Sequence, residues 1–116
     1  MTDTERPTMS HLADLVGLVD LQAESTVSRA VLRAEGARVV VFAFDAGQEL
    51  TEHTAGVPAL LQVIDGHLRV TADGQTVDLR PGGLVHLEAH LPHAVLAVEP
   101  SHLMLTMLGT RAGTAR

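Results

Sequence analysis

Gly47-Gln48-Glu49-Leu50-Thr51-Glu52-His53 opens the stretch that decides the fold, and Leu84-Val85-His86-Leu87-Glu88-Ala89-His90-Leu91-Pro92-His93 closes it. Between them run Pro58 to Ile64, a turn at Asp65-Gly66, two alternating segments, and Arg80-Pro81-Gly82-Gly83. Leu68, Val70 and Ala72 alternate with His67, Arg69 and Thr71, a period of two that marks half-buried strands. Asp73-Gly74 is a type I′ hairpin signal. After it Val77 and Leu79 alternate with Thr76, Asp78 and Arg80. Leu60 to Ile64 is apolar on both faces and reads as a buried strand. A histidine stands near each end of the stretch, His53 and His93, and any chemistry should sit where the two meet.

Outward from this centre the strand pattern continues. Toward the N-terminus, Val27, Arg29, Val31 and Arg33 alternate with Ser28, Ala30, Leu32 and Ala34, and Glu35-Gly36 turns the chain. Arg38 to Ala46 carries Val39, Val40, Val41, Phe42, Ala43 and Phe44, so both of its faces should be covered. Leu84 to Leu87, His93 to Val98 and His102 to Leu108 complete about eight short strands with turns between them, the pattern of a sandwich or jelly-roll barrel. Glu49 and Glu52 are placed in a loop that ends at His53. Ahead of the strands, Ser10 reads as an N-cap for a short helix whose stripe is Leu12, Leu15, Val16 and Val19. Residues 1–9 and 111–116 read as disordered tails, and 10–110 as one domain.

Composition narrows the function. The 116 residues suit a single domain, and 46% are hydrophobic but only 2% aromatic, so the core must be aliphatic around Phe42 and Phe44. Net charge is −6, with 8 scattered Lys and Arg. Clustered cations for phosphates and aromatic rings for bases are both missing, which argues against nucleic acid as a partner. No apolar run reaches transmembrane length, and the first residues do not form a signal peptide. With no cysteine there are no disulfides or thiolate ligands, and a cytoplasmic location is expected.

The spacing of the central stretch resembles the cupin family, a small jelly-roll barrel. Its first motif, G-x5-H-x-H-x3-E-x6-G, falls on Gly47, His53, Ala55, Ala59 and Gly66 with every interval kept. Its second, G-x5-P-x-G-x2-H-x3-N, falls on Gly82, Glu88, His90, His93 and Ala97. The resemblance implies an all-β, single-domain cupin jelly-roll β-barrel, preceded here by the short N-terminal helix. It also implies a metal held by two histidines and a carboxylate from the first motif and a histidine from the second. Only His53 and His93 remain; Ala55 and Ala59 have no lone pair to give.

His90 and Gln62 are weaker candidate ligands. Gln62 should point outward, because Leu61 and Val63 share the inward parity of position 59. His11, His67 and His86 read as solvent histidines, and His102 as an outside candidate. One divalent metal is envisaged at His53 and His93, with Zn, Mn, Fe, Ni and Cu not distinguished. Pocket residues are Ala55, Ala59, Leu61, Val63, Leu87, Val95, Ala97 and Met104, an aliphatic wall suited to a hydrocarbon-like or small carbonyl ligand. The sequence names no catalytic residue. Its readings are a barrel that binds a small organic molecule and, alternatively, a metal-dependent enzyme of dioxygenase or isomerase type. A homodimer built sheet to sheet is expected from the apolar faces of Arg38 to Ala46 and from Leu96 and Val98, with the helix covering an edge.

Overall fold

The computed structural model describes residues 6–109. Among these, nine strands form two antiparallel sheets: β1 (Thr26–Ala34), β2 (Ala37–Phe44), β3 (Glu49–His53), β4 (Ala59–Asp65), β5 (Leu68–Ala72), β6 (Gln75–Leu79), β7 (Leu84–Leu87), β8 (His93–Ala97) and β9 (Ser101–Leu108). One sheet has the order β1-β2-β9-β4-β7 and the other β3-β8-β5-β6. Strand neighbours far apart in sequence, such as β2 with β9 and β4 with β9, give the jelly roll.

Alternation sends one face of each strand between the sheets. Phe44, Leu61, Val63, Leu68, Val70, Val95 and Leu103 form a single buried cluster there. Each fully buried side chain of this kind contributes about 1.5–3 kcal/mol, so an aliphatic core suffices. The hairpin at Asp73-Gly74 has positive φ at both residues, 52° and 67°, as a type I′ turn requires. At the far end Gly66 (φ +86°) lies so close to Pro100 and Ser101 that an added Cβ would sit 2.6 Å from Ser101 Cα. Ser101 Oγ, fully buried, there accepts the His67 N–H at 2.9 Å and donates to the Glu99 carbonyl at 2.7 Å.

The expected helix from Ser10 to Val19 is only a 3-10 turn at Val16–Leu18. Gly17 is a poor helix former, and its N–H donates to Asp14 Oδ1 at 3.2 Å in a local turn. The apolar stripe is used differently: Leu15, Leu18 and Val19 pack on Val41 and Ala43, the outer side of β2. This segment therefore covers a sheet face rather than an edge, and it supplies the second cover that the two-faced β2 needs. His102 pins it there. Its Nε2 lies 2.7 Å from the Val19 carbonyl and its Nδ1 2.9 Å from Asp65 Oδ1.

Residues 49–53, expected as a loop, form the edge strand β3 paired with β8. Of the expected tails, residues 1–5 and 111–116 lie outside the described residues, and 6–9 are exposed without regular structure. His67 is buried rather than solvated, with Nε2 3.2 Å from Asp78 Oδ1. His11 and His86 are exposed.

Candidate functional site

His53 and His93 stand opposite each other on β3 and β8, with ring centroids 4.2 Å apart and planes tilted by 58°. A bulge creates this pairing. Leu50 faces Val95 and His53 faces His93, so three steps on β3 match two on β8. Without the extra residue Glu52 would stand opposite His93 and the histidine would leave the cavity. The bulge thus aims an exposed edge-strand residue at His93, which is only 6% exposed.

Both rings are tethered in the same way. His53 Nδ1 lies 2.9 Å from the Thr51 carbonyl, and His93 Nδ1 lies 2.9 Å from the Leu91 carbonyl. A carbonyl only accepts, so each Nδ1 carries the proton and each Nε2 is left for a ligand. Neither Nε2 has a hydrogen-bond partner among the described residues.

The pair separates two spaces. Outside it is a cavity of about 320 Å³, walled by Ala55, Gly56, Val57, Ala59, Leu105 and Met107 with Thr54 at its side. Inside is a chamber of about 30 Å³ bounded by Phe42, Leu50, Leu61, Val95, Leu103 and Leu105. A further cleft of about 280 Å³ opens on the β6–β7 side, where Val70, Ala72, Val85, Leu87 and Leu91 meet the polar Asp73, Gln75 and His86.

The other residues singled out from sequence distribute as follows. Ala55 and Ala59 line the outer cavity, Leu61 and Val95 the inner chamber, and Leu87 the β6–β7 cleft. Val63 and Ala97 are packed in the core, 1% exposed each, and line none of these three spaces. Met104 alternates with the inward Leu103 and Leu105 and shares the outer side with His102; Leu105 and Met107 hold the place expected for it. Gln62 pairs with Met104 and Leu84, on the outer side as its parity requires, because the irregularity in β4 comes only after Val63. His90 is exposed in a left-handed turn (φ +68°), where its N–H donates to the Ala55 carbonyl at 2.7 Å and joins the two motif loops.

Among the described residues no group of three or more His, Cys, Asp or Glu is placed to hold a metal. The carbonyl tethers are what a metal-ligating imidazole usually has behind it. The donor count is not: two imidazoles fall short of the three protein ligands that an open 3d-metal site keeps. These residues do not by themselves fit a resident divalent metal.

On the outer side of the four-stranded sheet, Arg69 Nε donates to Asp78 Oδ1 at 2.8 Å. That contact, followed by His67, holds the Asp78 carboxyl below its ordinary value. Asp45 is lowered by the backbone N–H groups of Glu24 and Ala46.

The family described as cupin domain matches residues 40–109. No curated protein matches the sequence. Among solved structures, a conserved protein of unknown function from Streptococcus pyogenes is similar at 25% identity, with TM-score 0.78, covering 91% of this chain and 93% of that one. A cupin superfamily protein from Desulfitobacterium hafniense shares the fold at 22% identity and TM-score 0.78, covering 90% and 94%. An RmlC-like cupin from Desulfovibrio desulfuricans is 25% identical with TM-score 0.76, covering 89% and 98%. No helix among the described residues is long and apolar enough to cross a membrane.

Proposed function

The chain belongs to the cupin-domain family, and from its site we infer that it is a small cupin-domain protein that binds a small organic molecule inside the barrel, at His53 and His93. One observation carries this reading: two tethered imidazoles, each with a free Nε2, stand between a cavity of about 320 Å³ and an apolar chamber of about 30 Å³. That is the make-up of a ligand pocket, mostly apolar walls with a few fixed polar groups. Alanine at 55 and 59 leaves room where larger side chains would fill it. Ala55, Ala59, Leu61 and Val95 are the wall; Leu105 and Met107 complete it.

Fragment screening by ligand-observed NMR tests the reading. Compounds that bind the wild-type protein should lose binding in Ala55→Phe, which fills the outer cavity. A broad screen without any binder, or binders unaffected by that substitution, would count against it.

The carbonyl tethers favour a second reading, a metal-dependent enzyme of dioxygenase or isomerase type acting on an oxygen-bearing substrate, in which one divalent metal sits on His53 and His93. Its ligand set would need donors from the bound substrate, since His90 and Gln62 are directed elsewhere. Elemental analysis of untagged protein separates the readings: near-stoichiometric metal, lost in His53→Ala, favours the enzyme. A homodimer and a cytoplasmic location complete the proposal. The dimer is supported by apolar side chains still exposed, Leu84 at the start of β7 (58% accessible) and Val98 just after β8 (40%).

A further inference from the structure

The short donor set at His53 and His93 indicates what kind of ligand the pair suits; the inference rests on the small-molecule reading above. Both Nδ1–H groups are already given to the Thr51 and Leu91 carbonyls, which fixes the tautomer of each uncharged ring. Two bare Nε2 acceptors therefore stand on rings whose centroids are 4.2 Å apart, at the boundary between a cavity and an apolar chamber. Among the described residues no carboxylate lines either space, so none of them competes there for a donor brought in by a ligand. A ligand with N–H groups offers both acceptors the donors that the described residues do not supply. The chain's net charge of −6 favours the approach of a cation over that of an anion.

We propose that the His53–His93 pair is a metal-free receptor for a small cationic hydrogen-bond donor: an amidinium, guanidinium or primary ammonium group on a compact apolar body. The forked N–H groups of an amidinium offer one donor to each ring. The body lies against Ala55, Ala59, Val57, Leu105 and Met107, and the inner chamber has room for a single water or methyl-sized group. No bond is made or broken; the ligand keeps its protons and the rings supply lone pairs.

Benzamidinium and benzoate make the test, because they share shape and size while exchanging two donors for two acceptors. Untagged, chelator-treated protein is titrated with each, and the ring ¹⁵N resonances are followed. Benzamidinium should bind at least about tenfold more tightly than benzoate, a gap of about 1.4 kcal/mol. It should move the Nε2 resonances of both histidines, and His53→Ala should weaken it by about tenfold or more. His53 is an exposed edge-strand residue, so this variant is expected to keep the wild-type amide spectrum, and it decides the matter even if His93→Ala does not fold. Benzoate binding as tightly as benzamidinium would overturn the proposal. So would unmoved Nε2 resonances in a protein that still binds other compounds lost in Ala55→Phe, an outcome that leaves the small-molecule reading intact. Near-stoichiometric divalent metal retained before chelation and lost in His53→Ala would overturn it as well.

Discussion

Gly66→Ala should destabilise the barrel far more than Gly36→Ala, although both glycines have φ +86°. At Gly36 a Cβ meets nothing within 4 Å, so only the left-handed backbone is penalised, by about 1–2 kcal/mol. At Gly66 the same Cβ would lie 2.4 Å from the Pro100 carbonyl oxygen and 2.6 Å from Ser101 Cα. Those are backbone atoms, so a rotamer change cannot relieve the overlap. Forcing the turn after β4 away from the start of β9 adds about 1–3 kcal/mol of overpacking, giving about 2–5 kcal/mol in all. The shift would also stretch the Ser101 Oγ contacts with His67 and Glu99. Urea unfolding of the two variants, with m-values checked for constancy, measures the difference directly. Equal midpoints would refute the reasoning, because the close approach of the two chain segments would then carry no cost.

Other outcomes follow from the same structure. His102→Phe leaves the Val19 carbonyl and Asp65 without their buried partner and should cost about 1–3 kcal/mol, with hydrogen exchange speeding up at residues 15–19; unchanged exchange there would argue that His102 does not hold the segment. Asp78 has a lowered folded-state pKa, so it contributes stability above the ordinary carboxylate value of 3.8 that is lost as pH falls through the folded value. Asp78→Asn should flatten the acid limb of stability, and an acid limb identical to wild type would contradict this. Light scattering at micromolar concentration should give twice the chain mass, whereas a monomer would end the dimer proposal.

Much of the fold is legible in the sequence because burial here has a period of two. Leu68, Val70 and Ala72, and the paired Asp73-Gly74, announce their strands without any tertiary information. Three features were not legible, for separate reasons. β3 has little alternation to read, since Thr51, Glu52 and His53 are all exposed at a sheet edge. In β9 the run Leu103-Met104-Leu105 is apolar on both faces, so register alone decides that Leu105 and not Met104 meets the cavity. The apolar spacing of Leu12 to Val19 fits a helix equally well as a strap laid on β2, and only the sheet below it chooses. At the site, motif spacing brought His53 and His93 to notice, but not the bulge that aims one at the other. The carbonyl tethers at Thr51 and Leu91 depend on backbone geometry that no residue type discloses.

The tautomers of the two rings test the account of the site most directly. Long-range ¹H–¹⁵N correlation spectra, recorded at alkaline pH where imidazoles are uncharged, should show both His53 and His93 protonated at Nδ1, with ring-to-ring nuclear Overhauser contacts between them. Protonation at Nε2 in either ring, or no contact between the rings, would contradict the site as described.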